Sequence, residues 1–70
     1  MKLKPGIQFI GKHFNGMFEV LSVDEERNEL KVSCNVDGHE STWNLEHTLW
    51  GFELEEYTEI VVEQPKTMTL

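Results

Sequence analysis

Four side chains in this sequence have the chemistry of zinc ligands: His13, Cys34, His39 and His47. Zinc in structural sites is held tetrahedrally by such nitrogen and sulfur atoms, and sequences that bind it usually supply them in closely spaced pairs. No Cys-x-x-Cys pair and no His-x-x-x-His pair occurs here. The spacing therefore predicts neither a metal site nor a cofactor.

The residue types of a nucleophile and a base are also present. His47 follows Glu46, and Ser41, Thr42 and Cys34 precede them in the chain. A nucleophile needs a base within hydrogen-bond reach and a pocket that excludes water. A small barrel that fills its interior with its own side chains leaves little room for such a pocket. We therefore expect no catalytic residues and a protein that is not an enzyme.

One stretch of the chain holds an unusual concentration of aromatic side chains, namely Trp43, Trp50 and Phe52. Trp43 is predicted to lie in the core. Trp50 points about half a helical turn away from the direction that Leu45 and Leu49 share. Two interpretations of Trp50 follow: it covers the edge of the core, or it is an exposed anchor for a protein partner, since Trp is enriched at binding hot spots.

Acidic residues follow the aromatic stretch with no basic residue among them: Glu53, Glu55, Glu56, Glu59 and Glu63. Such a run is either a solvated face that keeps a small protein in solution or a docking surface for a basic partner, such as a nucleic-acid enzyme whose groove it could occupy. The predicted protein-binding residues are Trp50 and Tyr57 as aromatic anchors, with Glu53, Glu55 and Glu56 as the charged surround.

The charge of the chain is unevenly distributed. Residues 1–16 carry a local charge of +3 and residues 17–70 a charge of −10, which gives the total of −7. A nucleic-acid binder usually presents a basic face, because neutralised phosphates supply most of its affinity. Direct binding of nucleic acid is therefore not expected. The alternative is a nucleic-acid-associated module, which requires Lys2, Lys4 and Lys12 to cluster beside an aromatic side chain.

Length and composition set further bounds. Seventy residues correspond to one domain, predicted over 1–64 with a frayed tail at 65–70. The single Cys34 cannot form an internal disulfide, which suits the reducing cytoplasm. No apolar run approaches the about 18 residues of a membrane span, and residues 1–6 do not resemble a signal peptide. Small size and acidity favour an accessory or inhibitory protein of a phage or mobile element.

The dipeptide Asn15-Gly16 marks a first antiparallel hairpin, because type I′ turns require positive φ at both central residues. A two-residue loop here would place Lys12 opposite Glu19. The apolar residues of the following strand fall on both of its faces, as in a strand that bends: Phe18 and Val20 on one face, Leu21 and Val23 on the other.

The dipeptide Asp37-Gly38 marks a second hairpin by the same reasoning. The preceding segment, 29–36, alternates strictly between apolar and polar residues, which is typical of a half-buried strand. A two-residue loop would place Val32 opposite Trp43. The predicted buried face then contains Leu30, Val32, Cys34, Val36 and Trp43.

The end of the chain contains a helix signal and a strand signal. Asn44 can cap a helical turn over Leu45–Trp50, with Gly51 as the residue that ends it. Residues 58–63 are rich in β-branched side chains and read as a final strand, stopped by Pro65.

This order of strands, hairpins and a helical turn resembles that of SH3-like small barrels over Gly6 to Glu63. The resemblance implies a mostly-β fold: a small antiparallel barrel of about five strands with a short helical turn before the last strand. Barrels of this type serve as peptide binders, nucleic-acid modules, methyl-lysine readers and inhibitors, so the fold does not select a function. The residues favour a non-enzymatic, acidic, cytoplasmic protein-interaction module with a basic protein partner and no membrane association.

Overall fold

The computed structural model describes residues 2–61. Its elements are, in chain order, β1 (Gln8–Gly11), β2 (Met17–Asp24), β3 (Glu29–Cys34), β4 (Glu40–Asn44), α1 (Leu45–Glu53) and β5 (Tyr57–Ile60). The predicted mostly-β fold, with a helix directly before the last strand, is confirmed. The predicted tail at 65–70 and the end of the predicted last strand lie outside the described residues.

The five strands form one antiparallel sheet in the order β4-β3-β2-β1-β5. This arrangement is compatible with an SH3-like fold. The predicted closure into a barrel is wrong for the described residues, because β4 and β5 stay at opposite edges of the sheet and share no ladder. Helix α1 connects these two edge strands and packs against β3, β4 and β5, so a helix rather than a strand pairing covers the open side.

The first hairpin differs from the predicted register. Ile10 lies opposite Met17, so β1 ends at Gly11 and a five-residue loop precedes β2. The predicted pairing of Lys12 with Glu19 is therefore wrong. The physical reason is a contact from a distant loop: Asn35 Oδ1 accepts from the Met17 N–H at 2.7 Å, and the Asn35 N–H donates to the Met17 carbonyl at 2.9 Å.

The second hairpin is displaced by two residues. Leu30, not Val32, lies opposite Trp43, and a five-residue loop at 35–39 joins β3 to β4. A shift of two residues keeps every side chain on its face, because side chains alternate with a period of two. Leu30 and Val32 are accordingly buried, with Trp43 on the same side. Val36 belongs to the loop and is 68% exposed, so its predicted place in the core is wrong.

A bulge in β2 shows that the predicted distribution of apolar residues over the two faces of this strand is wrong. Val20 lies opposite Val32 and Val23 lies opposite Leu30, which leaves one residue more on β2 than on β3. The register shift falls at Leu21, which is exposed. An extra residue turns the following side chains to the other face of a strand. Val23 therefore packs against the same core as Val20, not on the opposite face.

The core is centred on the ring of Phe9, which is fully buried. Four further rings surround it at centroid distances of 5.1 to 5.8 Å, those of Phe18, Trp43, Phe52 and Tyr57. We refer to these five residues as the aromatic cluster. Aromatic pairs add about 0.5–1.5 kcal/mol each beyond the area they bury, which matters for a chain with few core residues. Buried aliphatic side chains complete the core: Leu3, Val20, Leu30 and Val32.

Two asparagines fix the beginning of α1. The His47 N–H donates to Asn44 Oδ1 at 2.9 Å, which confirms the predicted cap. Asn28, in the turn between β2 and β3, adds a second cap: its carbonyl accepts from the Leu45 N–H at 2.9 Å and its Oδ1 from the Glu46 N–H at 3.0 Å. Three of the first amide groups, which have no partner within a helix, are therefore satisfied.

The helix ends later than predicted. Gly51 lies inside α1 and is buried, so its predicted role as the terminating residue is wrong. That position is taken by Glu55, whose φ of 63° is in the left-handed region. The Glu55 N–H donates to the Phe52 carbonyl at 3.1 Å and the Glu56 N–H to the Gly51 carbonyl at 2.8 Å. This pair of bonds is the Schellman motif, which usually has glycine at the left-handed position.

Candidate functional site

The outer side of α1 carries two large exposed apolar side chains. Leu45, Leu49 and Phe52 face the core, whereas Trp50 is 62% exposed and Leu54 is 66% exposed. Trp50, Glu53 and Leu54 line one shallow depression, which we call the helix surface. Of the two interpretations of Trp50, the structure agrees with an exposed side chain rather than with one that is buried at the edge of the core.

The imidazole of His47 lies beside the indole of Trp50, one helical turn away. The ring centroids are 6.4 Å apart and the planes differ by 23°, a stacked arrangement. Both side chains are exposed. Stacking restricts the rotamers that Trp50 can adopt, and a side chain already held in place loses less entropy when a partner binds it.

An acidic depression adjoins the helix surface and shares Glu53 with it. Three carboxylates line this depression, from Glu53, Glu55 and Glu59, and Lys12 is the basic residue among them. Of the predicted acids, Glu53 and Glu55 therefore line one depression, and Glu53 also lines the helix surface with Trp50. The structure places Glu59 with them, although the sequence did not single it out as a site residue.

Tyr57 takes a different position from the predicted exposed anchor. Its ring belongs to the aromatic cluster and is half-buried, with one edge on the acidic depression. Burial raises the pKa of the Tyr57 hydroxyl, and the Glu56 carboxylate raises it further. Glu56 is exposed, and its charge affects the pKa of the Tyr57 hydroxyl. Glu56 is not among the described residues that line the helix surface.

A third depression is lined by three aromatic rings, those of Phe14, Trp43 and Tyr57. We call it the aromatic groove. Polar groups complete its lining, from Asn44, His47 and Thr48. Sequence reasoning missed it, because a two-residue loop at Asn15-Gly16 would leave Phe14 at the end of a strand, whereas it lies in the loop after β1. The available signal was an aromatic side chain directly before Asn-Gly, where a turn residue is usually polar.

The three N-terminal lysines do not gather. The Lys2 Nζ lies 4.0 Å from a carboxylate oxygen of Glu25, in the turn after β2. Lys4 lies near Glu59 before the start of β1, and Lys12 lies in the acidic depression after its end. Lys2 thus pairs with Glu25, whereas Lys4 and Lys12 line two depressions that both include Glu59.

The residues considered as metal ligands or catalytic groups lie on separate elements. Within residues 2–61, no three His, Cys, Asp or Glu side chains form a group that could hold a metal ion. The three histidines are exposed: His13 lies in the loop after β1, His39 before β4 and His47 on α1. Cys34 is a half-buried free thiol at the end of β3.

The described part of the chain has no helix that is both long enough and apolar enough to span a membrane. Comparison of the chain with protein-family models, with curated proteins and with solved structures found no match.

Proposed function

We propose that this protein is a non-enzymatic interaction module that binds a basic protein partner through the helix surface. The observation that carries the proposal is the adjacency of two side chains, Trp50 and Leu54, each exposed by more than three-fifths in one depression with Glu53. Large exposed apolar side chains that share a patch and have a polar rim are typical of protein-binding sites.

The expected energy of this contact is appreciable. A buried tryptophan covers about 150–250 Å², and burial contributes about 25 cal/mol per Å². The exposed part of Trp50 therefore offers about 2–4 kcal/mol to an interface, the range of a binding hot spot. Carboxylates of Glu53, Glu55 and Glu59 at the rim would steer a basic partner and set its orientation more than they add affinity.

The backbone conformation of Glu55 also supports the proposed binding function. A non-glycine residue in the left-handed region costs about 1–2 kcal/mol, and glycine would avoid this cost. Strained residues of this kind are concentrated at functional sites. We infer that Glu55 is kept at this position because its carboxylate serves binding.

The alternative is a nucleic-acid-associated module that uses Lys2, Lys4 and Lys12. It requires a lysine cluster beside an aromatic side chain, whereas Lys2 pairs with Glu25 and Lys4 and Lys12 line different depressions, before and after β1. Their separation favours the protein partner. We further propose that the module acts in the cytoplasm, where the free Cys34 thiol stays reduced, as an accessory or inhibitory protein of a phage or mobile element.

The test compares two exposed apolar positions. The wild-type protein is used to capture a partner from its host, and the purified partner is then titrated with Trp50→Ser and with Val36→Ser. Trp50→Ser is expected to weaken binding at least 30-fold, because a hot spot supplies about 2 kcal/mol or more. Val36→Ser removes a similarly exposed side chain from the loop at 35–39 and is expected to change binding less than twofold.

Salt and duplex DNA provide the second readout. The association rate with the partner is expected to fall as ionic strength rises, since exposed charges are screened beyond about 8 Å at physiological salt. Binding that Trp50→Ser leaves unchanged contradicts the proposal. So does saturable micromolar binding of a labelled duplex at low salt that charge reversal of Lys2, Lys4 and Lys12 abolishes, which would establish the alternative instead.

A further inference from the structure

The aromatic groove presents ring surface to solvent. Phe14 is 51% exposed although its ring centroid lies 6.3 Å from that of Trp43 and 6.4 Å from that of Tyr57. The ring of Phe14 is nearly parallel to that of Tyr57, at 20°. Phe14 also meets Phe18 edge-on at 5.6 Å, a contact that holds it over the aromatic cluster. The groove is therefore a built feature whose π faces remain partly open.

The polar groups of the groove are mostly engaged with one another. The Thr48 hydroxyl donates to the Asn44 carbonyl at 2.7 Å, and the Asn44 side chain accepts from the His47 N–H. Among residues 2–61, no lysine or arginine lines the groove. What the groove offers a ligand is consequently aromatic surface with a few acceptors and no cationic group.

The charge around the groove selects among the ligands that stack on aromatic rings. Nucleobases bring phosphates, which need basic side chains that the groove lacks. A cation is favoured instead, because the chain has a net charge of −7 and ring faces carry a negative quadrupole.

The groove and the helix surface are continuous. His47 lines the groove and also stacks on Trp50, so it connects the two depressions on one side of the molecule. A partner that covers Trp50 therefore lies within reach of the groove. A guanidinium group fits it better than an ammonium group, because it is planar, weakly hydrated and stacks on aromatic faces.

We propose that the aromatic groove is an arginine subsite: the guanidinium of an arginine on the partner protein stacks on the rings of Phe14, Trp43 and Tyr57. This inference rests on the proposed function, since the same partner covers the helix surface. It adds to that function that one anchor residue of the partner is an arginine.

The probe for the test is a blocked, glycine-rich pentapeptide with a central arginine, titrated into the ¹⁵N-labelled protein and followed by NMR. Its control replaces arginine by citrulline, which has the same shape and no charge. The arginine peptide is expected to give saturable shifts at the Trp43 indole N–H, and citrulline to bind about two- to fivefold more weakly, the factor of an exposed cation–π contact.

Three variants locate the site. Phe14→Leu removes an aromatic face and is expected to weaken arginine binding about two- to fivefold. Phe14→Tyr keeps the aromatic face and is expected to bind as the wild type does, so a loss in both variants contradicts the proposal. Val36→Ser, on the loop between β3 and β4, is expected to have no effect. The dispersion of each variant's amide spectrum verifies that it is folded.

The outcomes separate this inference from the function on which it rests. Equal binding of the arginine and citrulline peptides, or no saturable shift at millimolar peptide, overturns the arginine subsite. Shifts confined to Trp50 and Leu54 overturn it too and leave the helix surface in place. If the arginine peptide fills the groove while Trp50→Ser leaves binding of the partner unchanged, the proposed function fails and the subsite remains.

Discussion

The ring of Tyr57 lies directly against the backbone of Gly51, so that a methyl group at Gly51 would overlap the ring carbons. Glycine is normally unfavourable within a helix by about 0.8–1.0 kcal/mol relative to alanine. Here it permits the first residue of β5 to pack on the second turn of α1. This close approach joins the helix to the strand that follows it and places Tyr57 in the aromatic cluster.

Gly51→Ala is therefore expected to destabilise the protein, although helix propensity alone predicts the opposite sign. Overpacking in a filled core costs about 1–3 kcal/mol, which exceeds the gain in propensity. Urea unfolding of the wild type and the variant measures the difference. In a Tyr57→Leu background the ring is absent, and Gly51→Ala is expected to become neutral or stabilising; a penalty that persists there would contradict the explanation.

Glu55→Gly is expected to raise stability and to weaken binding. Relief of the left-handed backbone is worth about 1–2 kcal/mol, reduced by about 0.5–1 kcal/mol for the greater freedom of glycine in the unfolded chain. Glu56→Gly is the matched control, because φ at Glu56 is not positive, and it is expected to destabilise. Thermal melts test the stability, and the association rate with the partner tests the role of the carboxylate. A variant that is less stable than the wild type would remove the argument for strain at Glu55.

Asn28 is expected to contribute to stability in two separable ways. Asn28→Gly keeps a backbone that accepts the φ of 58° but removes the Oδ1 that caps the Glu46 amide, at a cost of roughly a few tenths of a kcal/mol. Asn28→Ala removes the same acceptor and adds about 1–2 kcal/mol of left-handed strain. Equal unfolding free energies for the two variants would show that the backbone conformation contributes nothing. Faster hydrogen exchange of the Glu46 amide is the local readout in both.

Ionisation of the Tyr57 hydroxyl is expected to lower the stability of the protein at high pH. Its pKa in the folded protein is raised above the ordinary value of 10.0, first by burial and second by Glu56. The buried, neutral hydroxyl therefore stabilises the protein fully below about pH 10, and this contribution is lost as pH rises through the folded pKa. Tyr57 is the single tyrosine, so phenolate absorbance reports it directly. Tyr57→Phe is expected to remove this part of the pH dependence, while the lysines titrate alike in both proteins.

Gly16 and Gly38 have the positive φ values that the turn signals predicted, 91° and 69°, but their substitutions are expected to differ. A Cβ at Gly38 meets no atom within 4 Å, so Gly38→Ala carries only the left-handed cost of about 1–2 kcal/mol. A Cβ at Gly16 overlaps the side chains of Val36 and Asn35, so Gly16→Ala costs more. Val36→Gly is expected to recover part of that extra loss. Equal melting temperatures for the two alanine variants would contradict this difference.

Much of the local structure was determined by the sequence alone. The alternation in β3 predicted its buried face, and Asn44 predicted the start of α1, because both signals act over a few residues. The order of elements predicted a helix before the last strand. Helical periodicity placed Trp50 away from Leu45 and Leu49 but left open whether it covers the edge of the core or is exposed.

Contacts between distant residues decided the rest. Asn35 binds both backbone groups of Met17, 18 residues away, and this lengthens the first hairpin loop. Tyr57 packs against Gly51 within α1, so the helix continues past Gly51. Glu55, rather than Gly51, is the residue with left-handed backbone at the helix end. A turn dipeptide can indicate that a chain reverses. The loop lengths, the bulge and the helix ends depend instead on the packing that buries the aromatic cluster. The aromatic groove has the same origin, because its three rings come from three parts of the chain that only the tertiary structure brings together.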